Sequence, residues 1–122
     1  MNIDGDTRTS VYIRKIKKRY EHEFEDWFKS VRYAAHRHEG FLGASLFKVD
    51  HPQAPQYVTV FRFTTETALN EWESAPERTA YMNLVSPMLY EAAQRQVFNG
   101  LEYWFSAPAD STAPPHWKMT IG

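Results

Sequence analysis

The sequence contains no cysteine, which excludes disulfides, thiolate nucleophiles and thiolate metal sites. Glycine is scarce, five in 122 residues, and no phosphate-cradling loop, dinucleotide fingerprint or Gly-x-Ser-x-Gly elbow occurs. No stretch approaches the roughly 18 apolar residues that a membrane-spanning helix needs. The opening MNIDGDTRTS has neither the basic start nor the apolar middle of a secretory signal. Neither sign of charge dominates, since 14 Lys and Arg stand against 15 Asp and Glu. No global field therefore holds the chain on a phosphate backbone, and nucleic acid is not an expected partner. These absences predict a cytoplasmic, single-domain protein.

What the chain has in quantity is rings: Phe 8, Tyr 7 and Trp 4, together 16% of the residues. Apolar content concentrated in large aromatics suits a sheet packed by helices around a ring-lined cavity.

Alternation in TSVYIRKI (9–16) puts Val11 and Ile13 on one face of a strand and Tyr12, Arg14 and Ile16 on the other. Tyr20, Phe24, Trp27, Phe28, Val31, Ala34 and Ala35 then recur at three and four, one apolar stripe on a helix of about five turns. Its N-terminal end is acidic, as the macrodipole favours, but lacks a capping side chain, and Gly40 is the expected stop. FLGASLFKVD (41–50) and QYVTVFRFT (56–64) read as a hairpin whose HPQAP loop keeps its prolines out of the ladder. Thr65 is the expected cap of a second helical segment through Trp72, and the Ser74 to Glu77 spacing predicts a capping box that restarts the helix. Pro87 should break it near Ser86, and QVFNGLEYWFS (96–106) is the last strand.

The resulting order is β-α-β-β-α-β, an α+β ferredoxin-like fold with an antiparallel sheet and helices on one face. The expected layout is a flexible N-terminus over 1–8, the domain over 9–106 and a Pro-containing linker or tail over 107–122. The strands carry apolar groups on both faces while helices cover one, so a homodimer through the β-sheet is the expected assembly.

Four ordered segments, HEGFLG (38–43), YVTVFRF (57–63), LNEWESAPER (69–78) and GLEYWF (100–105), resemble the antibiotic biosynthesis monooxygenase (ABM) family of dimeric α+β barrels. GLEYWF followed by a Pro-containing linker and PPHWKM further resembles a subgroup whose ABM domain precedes membrane helices. That resemblance implies a domain at the cytoplasmic face of a membrane, reached only through a segment beyond Gly122. The family includes enzymes that oxidise polycyclic phenols with dioxygen and no bound cofactor, and relatives that degrade haem. The implied function is oxygenation of a small aromatic ligand without a cofactor. A ligand-binding or sensory module using the same cavity without turnover is the alternative.

Trp72 aligns with a Trp that shapes the pocket of haem-degrading relatives, and core packing beside Leu69 is its ordinary role. Those relatives carry a haem-ligating His ten residues later, where this chain has Met82, and an Asn on the first strand, where Tyr12 or a neighbour stands. Haem degradation is therefore the third reading. Arg62 could hold a phenolate, or pair with Glu102 across the sheet. Tyr12, Tyr57, Tyr81 and Tyr103 could each offer a phenol. His38 is the candidate base among the histidines. His36 and His38, two apart on a helix, point to nearly opposite sides and do not form a metal site. The basic run Arg14 to Arg19 reads as a surface compensated by the acidic EHEFED.

Overall fold

The computed structural model describes residues 6–99. Four strands and three helices follow in the order β1 (Arg8–Lys15), α1 (Glu21–Ala35), β2 (Phe41–Val49), β3 (Gln56–Phe63), α2 (Glu66–Glu73), α3 (Pro76–Val85) and β4 (Gln94–Asn99). The sheet is antiparallel with strand order β2-β3-β1-β4, so the hairpin β2-β3 leaves its partner β1 in the middle. This is the expected ferredoxin-like arrangement. The second helical region is two helices, in keeping with the restart expected after Trp72.

Helix α1 forms because its apolar stripe docks on one sheet face: Phe24, Trp27, Phe28, Val31, Ala34 and Ala35 are buried against Tyr57, Phe61 and Phe63 of β3. Phe24 and Tyr57 have ring centroids 4.5 Å apart. The burial of these rings is the main favourable term holding helix to sheet. Tyr20 precedes α1 without a side-chain cap, and a 3-10 turn over Lys18–Tyr20 leads into it. Thr65 caps α2 as expected, its Oγ1 accepting from the Ala68 N–H at 3.1 Å.

The capping box expected at Ser74 does not form. Ala75 is the residue before α3, held extended at φ −68° and ψ 138°, and Ser74 instead closes α2 by donating from Oγ to the Asn70 carbonyl at 2.8 Å. Pro76 is the cause: it excludes the helical conformation from the residue before it, which moves the start of α3 one position along. Pro87 acts as expected, and the helix gives way to a 3-10 turn over Ser86–Met88.

Gly40 lies in the turn after α1 at φ +88°, where a Cβ would sit 2.7 Å from the Ala68 Cβ and 2.8 Å from Thr64 Oγ1. Both the backbone conformation and the contact with α2 require its lack of a side chain. Gly40→Ala should lower stability by about 2 kcal/mol. In urea titrations the midpoint should fall with the slope unchanged, and an unaltered midpoint would refute this account of the turn.

The sheet's second face carries Val11, Phe47, Val58 and Val60, each at most 5% exposed, with Ile13 and Phe98 packed beside them. Among the described residues no helix is long and apolar enough to cross a membrane. The tail that prompted the membrane reading, the GLEYWF segment and Glu102 lie outside the described residues.

Candidate functional site

On the helix side of β1, strand alternation presents Ser10, Tyr12 and Arg14 in a row, opposite Phe61, Thr59 and Tyr57 of β3. Over this row lie Trp27 and Val31 of α1, Trp72 and Glu73 of α2, and Arg78 and Met82 of α3. Together with Phe61 they line a pocket between sheet and helices whose free space is about 10 Å³, room for about one water. The ring-lined cavity expected from composition is thus present but closed. Arg14, Arg78 and Met82 fill what the rings leave.

Trp72 is 3% exposed and wedged between two rings: it stacks on Phe61 at 17° and meets His38 edge-on at 4.9 Å. Trp27 donates from Nε1 to the Tyr81 carbonyl at 2.8 Å, which fixes α1 to α3 across the pocket. The walls are therefore positioned by the core itself, on helices and a central strand rather than on loops.

Tyr12 is the polar centre. Its hydroxyl donates to Glu73 Oε2 at 2.9 Å and accepts from Arg78 at 2.6 Å and from Arg95 Nε at 3.0 Å. Arg95 also pairs with Glu73. Burial, opposed by Arg78 and assisted by Glu73, holds the Tyr12 phenol above its ordinary pKa, so it stays a proton donor to the carboxylate. Glu73 is the carboxylate that lines the pocket, and it is on the wall rather than in solvent, its side chain 16% exposed.

Arg14 is buried, 3% exposed, and its guanidinium donates to Thr59 Oγ1 at 3.1 Å and towards Met82 Sδ at 3.7 Å. The guanidinium lies 4.7 Å from the Tyr12 ring centroid and 5.2 Å from that of Trp27. Among the described residues no carboxylate comes within ion-pair distance of it. Burial pulls its pKa down to about 10, and the neighbouring Arg78 adds to the effect against an opposing contribution from Tyr12.

The sequence candidates separate clearly. Tyr12 and Trp72 are brought together on one pocket. Tyr81 packs at the edge of the core and contributes its carbonyl to Trp27. His38 stands behind Trp72, its Nε2 3.6 Å from Glu77, so Trp72 separates it from the pocket. Arg62 pairs in register with Thr9 and Gly43 and alternates with Phe61 and Phe63, on the face away from the helices. Met82 faces Arg14. The reading of Arg14 as part of a compensated surface is corrected: only Lys18 of that run pairs with Glu21, while Arg14 points into the pocket because it shares the inward face with Tyr12. Among the described residues no group of three His, Asp or Glu could hold a metal ion. Two open grooves beside β2, of about 370 and 440 Å³, are lined by exposed charges of α1 and lack this convergence of buried polar groups.

The family model for antibiotic biosynthesis monooxygenases matches residues 10–84, a span that includes β1, α1 and both helices over the pocket. The chain belongs to the ABM family. Its fold is shared with SnoaB, a cofactor-independent oxygenase from Streptomyces nogalater, at 18% identity over 78% of this chain and 93% of that one, with a TM-score of 0.66. A Nitrosomonas europaea protein assigned to the same family is 13% identical over 83% and 96% of the two chains, with a TM-score of 0.71. A conserved protein from Methanosarcina mazei is 14% identical over 80% and 95%, also at 0.71. A search of curated proteins by sequence finds no match. At these identities the structural likeness establishes the ABM fold of the domain.

Proposed function

We propose that this ABM domain oxygenates an aromatic small molecule at the Tyr12–Trp72 pocket, using dioxygen and no bound cofactor. The observation that carries the reading is the Tyr12–Glu73 pair: a phenol and a carboxylate in hydrogen-bond contact on the wall of a buried aromatic pocket. A non-catalytic binding module needs rings but no proton acceptor, whereas an oxygenase that relies on its substrate as reductant needs both.

In this scheme an electron-rich aromatic, of the anthrone or dihydroxyaromatic class, lies against Trp72 and Phe61. Its proton passes through Tyr12 to Glu73. The carbanion or phenolate so formed reduces dioxygen by one electron, and the two radicals combine to a peroxide. That peroxide regains a proton from Glu73 through Tyr12 and expels water, so that a ring CH2 becomes C=O and the second oxygen atom leaves as water. The residues bind, desolvate and move the proton, and the substrate supplies the electrons.

The closed pocket requires an entry step. Arg78 and Met82, which with Arg14 fill the pocket, must move to admit a substrate, and Arg95, which donates to the Tyr12 hydroxyl beside Arg78, moves with them. Displacing Arg95 breaks a partly exposed ion pair with Glu73, a cost of about 1 kcal/mol or less. Oxygen-electrode traces with a panel of anthrones, naphthalenediols and catechols should show uptake proportional to protein. Rates no faster than the buffer blank across the panel would reject the reading in favour of a binding module.

We also propose that the domain works as a homodimer joined through the second sheet face: family membership supports this, and the partly exposed Ile13 and Phe98 would meet the partner beside a cluster of Val11, Phe47, Val58 and Val60 that the single chain already buries. Light scattering coupled to size exclusion should give twice the 14.3 kDa chain mass, and a monomer mass at micromolar concentration would reject it.

A further inference from the structure

We propose that the inner end of the pocket is a small-anion site whose cation is Arg14, and that the anion it serves during turnover is reduced dioxygen. The identity of that anion rests on the oxygenase reading above, whereas the site itself rests on the geometry of Arg14.

A guanidinium has five N–H donors. One meets Thr59 Oγ1 at 3.1 Å, and one is directed at the Met82 sulfur at 3.7 Å, a weak acceptor. The charge is faced by the rings of Tyr12 and Trp27, which soften its burial without neutralising it. Glu73, the carboxylate on the same pocket, is already held by Tyr12 and Arg95. Arg78, also on the pocket, adds a second positive charge. The interior thus has donors without acceptors and positive charge without a counterion, next to free space of about 10 Å³. Buried polar groups left in this state point to an occupant. The space is small and the field selects a negative occupant, with the flexible Met82 side chain able to yield to one larger than a water.

Dioxygen itself is neutral and gains little from a cation. Superoxide and the peroxide anion gain much, in a site that excludes water. Arg14 therefore acts on what electron transfer creates and leaves the starting complex almost untouched, which is the condition for lowering a barrier. The electron comes from the deprotonated substrate. Superoxide held at Arg14 then recombines with the substrate radical, and the peroxide formed is protonated by Glu73 through Tyr12.

Chloride line width in chlorine-35 NMR tests the site without turnover. Wild-type protein should give a saturable excess broadening that azide competes away. Arg14→Met should remove that saturable part, and Arg14→Lys, which keeps the charge, should retain some of it. An equal saturable broadening in Arg14→Met would overturn the site, as would none in the wild type. The oxygen role is read by varying dioxygen with a substrate that the wild type consumes. Arg14→Met should lower kcat/KM for dioxygen about 100-fold, with the substrate dissociation constant changed by less than about threefold. A comparable loss in substrate binding would show that Arg14 grips the substrate, overturning its role towards dioxygen. Anion binding without any oxygen uptake would reject the oxygenase reading and the dioxygen role together, and would leave the anion site standing.

Discussion

Glu73→Gln should lower the oxygen-uptake kcat by a factor of about 10²–10⁴, the ordinary worth of a positioned general base. Gln preserves the shape and still accepts from the Tyr12 hydroxyl and from Arg95, but it cannot hold a proton. Tyr12→Phe should lose activity as well, since it removes the hydroxyl that joins the pocket to the carboxylate. The loss in Glu73→Gln has a second conceivable cause, because Arg95 is left without its anion. Combining it with Arg95→Gln restores the charge balance without restoring a base, so the double variant should remain inactive. Recovery in the double variant would make Glu73 a charge-balancing residue, and a single variant within about threefold of wild type would remove the proton-acceptor role altogether. A thermal melt of each variant guards against loss through unfolding.

The parts of this molecule that were legible in the sequence are those set by local periodicity. Alternation over 9–16 and the three-and-four stripe of Tyr20 to Ala35 give the first strand and first helix, because each buries one face. The Thr65 cap and the Pro87 break were equally local. Ser74 shows where such reasoning stops: the Ser-x-x-Glu spacing is present, yet Pro76 controls the backbone before it and reassigns Ser74 to the preceding helix.

The site divides the same way. Trp72 was identifiable from the segment LNEWESAPER and Tyr12 from the first-strand position where haem-degrading relatives carry an Asn, and the two do share a pocket. Arg14, Glu73, Arg78 and Arg95 were not, because their roles are fixed by contacts 22 to 83 residues apart in sequence. One signal was available for Arg14. Alternation already placed it on the same face as Tyr12, but the following Lys15, Lys17, Lys18 and Arg19 made it look like part of a solvated run. Facing direction, not neighbouring charge, decided its environment.

That environment predicts an unusual result for Arg14→Met: the variant should be more stable than the wild type by about 1–3 kcal/mol. A guanidinium whose pKa is held down to about 10 by burial costs the fold about 3 kcal/mol in its charged form. Met keeps an unbranched stem of similar reach among Trp27, Tyr12 and Met82; the Thr59 hydroxyl loses a partner at a cost of about 1 kcal/mol, and the weak contacts to Met82 and the two rings offset a little more. The pH dependence fixes the sign. Below about pH 10 Arg14 is protonated in both the folded and unfolded states, so its cost is constant and the advantage of the variant is at its full size. As pH rises from about 10 into the ordinary arginine range, the folded protein releases the proton first, wild-type stability rises and the gap narrows. Urea titrations at pH 7 and at the highest pH both proteins tolerate would measure this, and a destabilised Arg14→Met at pH 7 would show that the charge is compensated. An uncompensated charge kept at a cost to stability, in a pocket that also holds the Tyr12–Glu73 phenol–carboxylate pair, is what the proposed anion role requires. The same stability gain ensures that any loss of anion binding in Arg14→Met reflects the missing guanidinium and not a lost fold.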